Sequence, residues 1–303
     1  MRKRSVMKIA IIGGGPAGLT AAIYALRNNF EVVLFEKGGI GGQAAITNEV
    51  ENYPAFKNIS GFELTNKMYE QAESLGLKTK YEEIVSVKPE DGMFLVKTED
   101  DAYIFDGVIL AMGASAKALG IENEFVGRGV SYCATCDGNF FKGKTVAVVG
   151  GGNTAVDDAL YLSNIAKKVY LIHRREGFRA AHMAVERVKR QPNVEFVTNA
   201  VPVRLEGGDV LEKVIVKTCD GEREIKTDAL FVAVGQKPNS DCVKGLVDID
   251  ENGYILTNGN LETRVKGLYA AGDVRQKTLR QIVTATGDGA VAATNLIMQL
   301  LNK

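Results

Sequence analysis

The chain of 303 residues is long for a single hydrophobic core and suggests two domains. At 46% hydrophobic and 24% charged it has an ordinary globular composition. Lys+Arg and Asp+Glu balance at 37 each, so no net field favours nucleic acid or an anionic membrane as partner. No apolar run reaches the ~20 residues of a membrane span.

The basic start, Met1-Arg2-Lys3-Arg4-Ser5-Val6-Met7, lacks the apolar region of a signal peptide and reads as a short leading extension, with Met7 as a second possible start. The expected setting is cytoplasmic. The first strand, Lys8–Ile12, runs into Gly13-Gly14-Gly15, a helix over Ala17–Arg27 and a second strand, Glu31–Phe35. Gly92–Lys97 and Tyr103–Phe105 flank an acidic turn and read as a hairpin. The apolar run Phe105–Leu110 leads into Ala111-Met112-Gly113-Ala114. The opening pattern then recurs: strand Thr145–Val149, Gly150-Gly151-Gly152, helix Asn153–Ile165, strand Lys168–Ile172. The strand Ala229–Val234 with Gly235 matches the earlier run ending at Gly113, and a last helix runs from about Gly287 to Leu301.

A recurrence at about 140 residues is too long for a solenoid and argues for two similar domains, each with its own parallel sheet. Linkers are expected at Ser115–Gly120 and Gln236–Gly245. The first domain is then discontinuous, 1–115 with 246–303, and the second spans 116–245.

Each glycine turn has the context of a dinucleotide site. Gly13-x-Gly15-x-x-Gly18, with Pro16 and Ala17 inside it, follows a strand and opens a helix. The first glycine permits the turn, the second lets backbone approach a pyrophosphate, and the third lets helix and strand pack closely. Glu36, at the end of the next strand, can accept from a ribose hydroxyl. The motif alone does not separate FAD from NAD. The second turn is Gly150-x-Gly152-x-x-Ala155, with Asn153 and Thr154 opening the helix. Where the first site has Glu36, this one has His173-Arg174-Arg175, with Arg179 behind. Arginines attract the 2′-phosphate that a carboxylate would repel, so this site should prefer NADPH to NADH.

Four cysteines in a chain of this length do not make a disulfide framework. The informative pair is Cys133-Ala134-Thr135-Cys136, followed by Asp137. Two intervening residues bring both sulfurs within reach when the turn is helical, and a helix N-terminus lowers the first thiol's pKa. A redox pair, half a zinc site and two inert structural thiols all meet that spacing. Zinc needs four ligands, and Cys219, Cys242, His173 and His182 supply no second close pair. Asp137 can shuttle a proton to a thiolate, or simply cap a helix.

A hydride donor and a disulfide are joined most simply by a flavin, which accepts hydride and reacts with thiolates. Two dinucleotide sites and one dithiol therefore imply FAD in the first, NADPH in the second, and a disulfide substrate beyond Cys133 and Cys136.

The chain resembles the low-molecular-weight thioredoxin reductases of bacteria, archaea and plants, nearly end to end. The likeness runs through Gly13–Leu19, Gly41-Gly42-Gln43, Val50-Glu51-Asn52-Tyr53-Pro54, Cys133–Gly138, Gly150–Ala155, His173–Ala180, Ala270-Ala271-Gly272-Asp273-Val274 and Leu279-Arg280-Gln281. It implies an α/β fold of two Rossmann-like, three-layer β/β/α domains, the arrangement of flavoproteins that bind two dinucleotides. It also implies that Gly41, Gly42, Gln43 and Asn52 hold the flavin, that Asp273 meets it near its pyrophosphate and ribitol, with Gly272 also among the cofactor-binding residues, and that Arg280 and Gln281 lie beside its ring. By the same resemblance Cys136 faces the flavin, Cys133 attacks the thioredoxin disulfide, and Asp137 is the acid–base residue. A homodimer whose NADPH domain rotates is implied too. Arg128 is either part of a thioredoxin-docking surface or an exposed loop cation. Two departures touch the flavin neighbourhood: Met112 where the family usually has Thr, and Ala55 where Gly often follows Tyr-Pro. Competing readings are a flavoprotein reductase of another dithiol partner, such as a glutaredoxin-like protein or a peroxidase, and a dithiol-independent ferredoxin- or flavodoxin-NADP reductase.

Overall fold

The computed structural model describes residues 6–47, 50–121 and 124–302. The leading extension through Ser5 lies outside them. The chain divides into two compact units, Met1–Ser115 with Lys237–Lys303, and Ala116–Gln236.

In the first unit β1 (Lys8–Ile12), α1 (Pro16–Arg27) and β2 (Glu31–Phe35) are followed by α2 (Gly42–Ala45), α3 (Gly61–Ser74) and β3 (Lys78–Lys80). Next come β4 (Ser86–Glu90), β5 (Met93–Lys97), β6 (Ala102–Phe105), β7 (Gly107–Leu110) and β8 (Ala114–Ala116). The second unit holds β9 (Val130–Ser131), α4 (Ala134–Asp137), β10 (Thr145–Val149), α5 (Asn153–Ser163), β11 (Lys168–Ile172), α6 (His182–Lys189) and β12 (Val194–Val197). It continues with β13 (Val201–Gly207), β14 (Leu211–Thr218), β15 (Gly221–Lys226) and β16 (Ala229–Val232). The chain closes with β17 (Gln236–Pro238), β18 (Leu268–Ala270) and α7 (Ile282–Leu301).

Each unit has the same three layers. The parallel sheet of the first is ordered β18-β7-β1-β2-β3, and β4-β5-β6 form a separate antiparallel sheet. The parallel sheet of the second is β12-β11-β10-β16-β9, with β13-β14-β15 antiparallel. Side chains alternate across a strand, so a strand buried on both faces must be apolar throughout. In β1, Ile9 and Ile11 join the helix-side core with Leu19, Ala22 and Leu296, while Ala10 and Ile12 join Phe94, Val96 and Phe105 on the antiparallel side. In β10, Val146 and Val148 pack on Ala159 and Leu162, and Ala147 and Val149 on Val214 and Ile225. The register pairs Ile12 with Phe35 and Leu110, and Val149 with Ile172 and Val232. Both glycine turns therefore leave the carboxyl end of a central strand, where open α/β sheets bind ligands.

The structure differs from the sequence expectations at three places. The run Phe105–Leu110 is two strands, broken at Asp106. That residue's Oδ2 accepts from Lys8 N at 2.7 Å and its own N–H donates to Lys8 O at 2.8 Å, turning the chain from one sheet into the other. Gly107 then sits where a Cβ would lie 2.6 Å from Leu296 Cδ1. The last helix begins at Ile282, ahead of Gly287, because Gln281 and Thr284 form a reciprocal capping box. The second crossing falls after Gln236, ahead of residue 246. Asn239 Nδ2 donates to Met112 O at 2.9 Å, Ser240 Oγ donates to Gly253 O at 2.8 Å, and Val243 and Val247 enter the first unit's core. The crossing segments pair with each other as β8 and β17.

Candidate active site

In the first turn, a Cβ on Gly13 would stand 2.3 Å from Ala111 O, and one on Gly18 would stand 1.9 Å from Gly13 O. Gly13 also has φ +107. Packing and backbone conformation require these two glycines. At Gly15 the nearest atom is Gly41 O at 4.0 Å, so this position faces space that a pyrophosphate can enter. Pro16 opens α1 without spending a helix-terminal N–H, and Ala17 is buried behind it. Glu36 Oε2 accepts from Gly14 N at 2.7 Å and Oε1 from Gly38 N at 2.8 Å. The carboxylate thus braces the turn, with lone pairs left on both oxygens.

Some of the other expected flavin contacts meet this turn or the start of α1. Gly41 N donates to Gly14 O at 2.8 Å, and a Cβ on Gly42 would lie 3.5 Å from Gly15 Cα. Gln43 follows, exposed on α2. Gly272, at φ +76, would carry its Cβ 2.8 Å from Ala17 Cβ, which sets the following Asp273 near the start of α1. Asn52 Nδ2 donates to Gln281 Oε1 at 3.1 Å, and the Arg280 guanidinium lies 4.1 Å from the Tyr254 ring centre. Asp273 Oδ1 and Arg280 Nε are buried without a hydrogen-bond partner. A buried polar atom is costly unless satisfied, so both fit a polar cofactor as their partner. Burial pushes the Asp273 carboxyl up, against the opposing pull of Lys277 and Arg280.

The second turn repeats the logic. A Cβ on Gly150 would meet Ala233 O at 2.4 Å and Ala155 Cβ at 2.6 Å, whereas Gly152 has nothing within 4 Å. Thr154 and Asn153 lie on the first turn of α5 short of full burial, and Ala155 is buried. The basic segment is fastened to this turn. Arg179 N donates to Gly151 O at 2.7 Å, and Ala181 N donates to Asn153 Oδ1 at 2.9 Å. His173 is 6% exposed, lies 4.8 Å from the Phe178 ring, and comes so close to Gly151 that a Cβ there would be 2.1 Å from Cε1. Burial lowers its pKa and the neighbouring arginines add to the effect, against the opposing pull of a backbone hydrogen bond with Gly177. His173 therefore anchors the segment, while Arg174, Arg175 and Arg179 are exposed beside the turn, where a phosphate can reach them.

Cys133 and Cys136 form a disulfide with Cα atoms 5.3 Å apart. Cys133 caps the single turn of α4, which Asp137 N closes on Cys133 O at 3.1 Å. Asp137 Oδ2 accepts from Ser131 Oγ at 2.6 Å, and the same hydroxyl accepts from Cys133 N at 3.1 Å. Asp137 Oδ1 is buried without a hydrogen-bond partner. Burial raises this carboxyl's pKa and the Ser131 bond opposes it, which favours a group able to carry a proton. Ser131 is the residue that motif reasoning missed; its only signal is its place two residues before Cys133. Arg128 is exposed and its guanidinium donates to Glu124 O. Cys219 is exposed, and burial pushes the Cys242 thiol up to about 11, so Cys242 is unreactive near neutrality. Among the described residues no group of three or more His, Cys, Asp or Glu could hold a metal ion, and no helix is long and apolar enough to cross a membrane.

Two parallel-sheet units, each with a nucleotide-type glycine turn, and one closed Cys-x-x-Cys define a pyridine-nucleotide-linked disulfide oxidoreductase. Residues 7–289 match the family model described as pyridine nucleotide-disulphide oxidoreductase. A thioredoxin reductase of Bacillus subtilis is 44% identical over 98% of this chain and 95% of its own. The crystal structure of thioredoxin reductase from Streptococcus pyogenes is 40% identical, covers 99% of this chain and 100% of its own, and superposes with a TM-score of 0.92. The thioredoxin reductase of Giardia duodenalis is 37% identical over 98% of this chain and 100% of its own, with a TM-score of 0.91. The chain belongs to the pyridine nucleotide-disulphide oxidoreductase family, and within it to the low-molecular-weight thioredoxin reductases.

Proposed function

We propose that the chain is an NADPH-dependent thioredoxin-disulfide reductase carrying FAD, in which Cys133 and Cys136 are the working thiols. The observation that carries this is the Cys133–Cys136 disulfide with a buried carboxyl, Asp137, joined to the same turn through Ser131. Residues 1–115 with the C-terminal segment act as the FAD-binding domain. Gly13, Gly15, Pro16, Ala17, Gly18, Glu36, Gly41, Gly42, Gln43, Asn52, Gly272, Asp273, Arg280 and Gln281 are its cofactor-binding residues. The inserted unit is the NADPH-binding domain, with Gly150, Gly152, Asn153, Thr154 and Ala155 at the pyrophosphate and Arg174, Arg175 and Arg179 at the 2′-phosphate, positioned by His173. Bound FAD supplies the two-electron relay between hydride donor and disulfide.

In the reduced dithiol, the Cys133 thiolate attacks one sulfur of the thioredoxin disulfide. A mixed disulfide forms and the other thioredoxin sulfur leaves as a thiolate. Cys136 then attacks Cys133 Sγ, which restores the Cys133–Cys136 bond and releases the second thioredoxin thiolate. Asp137 moves protons at these sulfurs through Oδ1, held in place by the Ser131 bond to Oδ2. Overall, NADPH and a proton are consumed, NADP⁺ is produced, and one disulfide becomes two thiols. We read the enzyme as a homodimer of the reducing cytoplasm; the resemblance and the catalytic use of a cysteine pair support this.

The test is steady-state turnover with NADPH and with NADH, each against thioredoxin, a glutaredoxin-like protein and a peroxidase disulfide. Thioredoxin with NADPH should give the highest kcat/KM. Faster reduction of another partner, or equal use of NADH, would overturn the assignment.

A further inference from the structure

We propose that Lys277 and Asp288 form a buried clamp that holds the Gly272–Asp273 turn in its flavin-binding position. The proposal rests on the reading of Asp273 as a flavin ligand and names two positioning residues behind it.

After β18 the chain turns through a short 3-10 segment, Gly272–Val274, and then runs to α7. Asp288 projects from the second turn of that helix. Its Oδ2 accepts from Gly272 N at 3.0 Å and from Lys277 Nζ at 2.9 Å, and lies 3.3 Å from Arg275 Nε. One oxygen therefore holds the turn at the residue before Asp273 and again four residues after it. Lys277 is 8% exposed and Asp288 is 15% exposed, so the pair is nearly withdrawn from water.

Stability does not account for such a pair. Desolvating two charges roughly cancels their attraction, and an apolar pair of the same size would serve as well or better. A reason is found on the other side of the ammonium. Lys277 Nζ lies 4.0 Å from Asp273 Oδ1, the oxygen buried without a hydrogen-bond partner. A carboxylate set beside an anionic dinucleotide repels it, and two cations beside two carboxylates remove that net repulsion while Asp273 stays free to accept hydrogen bonds. The Asp273 carboxyl is raised by burial, and Lys277 is the larger of the two cationic influences opposing this, ahead of Arg280.

The test is FAD binding to the full-length apoprotein, read by quenching of flavin fluorescence, with thermal unfolding of each apoprotein in parallel. Lys277→Met and Asp288→Asn should each raise the FAD Kd by about tenfold or more, the loss of one charge-assisted contact, and each should lower the apoprotein Tm by leaving its partner charge buried; the double variant Lys277→Met/Asp288→Asn, which removes both charges of the pair, should recover Tm but not the affinity. Lys277→Arg should recover most of the affinity. Asp273→Asn separates the ligand from its support. If it weakens FAD binding while Lys277→Met and Asp288→Asn do not, the clamp is refuted and Asp273 stands. If Asp273→Asn leaves the Kd unchanged, the reading of Asp273 fails and the clamp with it. Recovery of the FAD affinity together with Tm in the double variant would make the pair merely structural.

Discussion

Ser131 Oγ donates a 2.6 Å hydrogen bond to Asp137 Oδ2 while accepting one of 3.1 Å from Cys133 N. A single hydroxyl thus links the Asp137 carboxyl to the backbone of Cys133. Burial raises the Asp137 pKa and the Ser131 bond lowers it. Removing the hydroxyl should raise the pKa further. A general acid loses its proton as pH passes its pKa, so the alkaline limb of kcat for thioredoxin should move to higher pH in Ser131→Ala. The plateau should fall about fivefold, the kinetic equivalent of one hydrogen bond at ~1 kcal/mol. An unmoved limb with only a lower Tm would make Ser131 structural.

On the proposed assignment, Arg174 and Arg175 carry the choice of nucleotide. Charge-assisted contacts are worth about 1.5–3 kcal/mol each, so Arg174→Ala with Arg175→Ala should raise the NADPH KM on the order of 100-fold or more. NADH has no 2′-phosphate, and its KM should change little. Equal effects on both cofactors would refute the phosphate site.

Gly13 and Gly15 should separate folding from binding. Gly13→Ala places a Cβ 2.3 Å from a backbone carbonyl at φ +107 and should cost more than about 4 kcal/mol or abolish folding. Gly15 has φ −79, and a methyl group added there would have no protein atom closer than 4.0 Å, so Gly15→Ala should fold normally. It should nevertheless bind FAD at least about tenfold more weakly, because the methyl occupies the pyrophosphate's approach. Denaturant unfolding and flavin content measure the two effects independently.

Ala55 stands where glycine often follows Tyr-Pro in similar chains, and its φ is +87. A side chain in the left-handed region costs about 1–2 kcal/mol, and glycine's extra freedom in the unfolded chain returns part of that. Ala55→Gly should therefore stabilise the protein by about 0.5–1 kcal/mol, read as a higher denaturation midpoint.

The parts of the fold that sequence carries best are those with strict local demands. Gly13, Gly18 and Gly150 are fixed by carbonyl clearances under 2.5 Å, and the two-faced burial of β1 and β10 demands unbroken apolar runs. These leave glycine spacing and hydrophobic patterns that can be read directly. Residues that act across long separations leave none. Asp106 switches the chain between sheets through Lys8, and Asp288 reaches Gly272 from inside a helix whose sequence would read the same without it. His173 looks like part of a basic cluster in sequence. In space it is a buried packing group over Gly151, which only the tertiary fold reveals.

If Cys133 and Cys136 are the working thiols, electrons from NADPH reach thioredoxin only through them. The most direct measurement is Cys136→Ser, mixed anaerobically with NADPH and then with oxidised thioredoxin while the flavin absorbance and the thioredoxin thiols are followed together. The flavin should be reduced as in the wild type and no thioredoxin thiols should appear. Continued thioredoxin reduction by this variant would contradict the account.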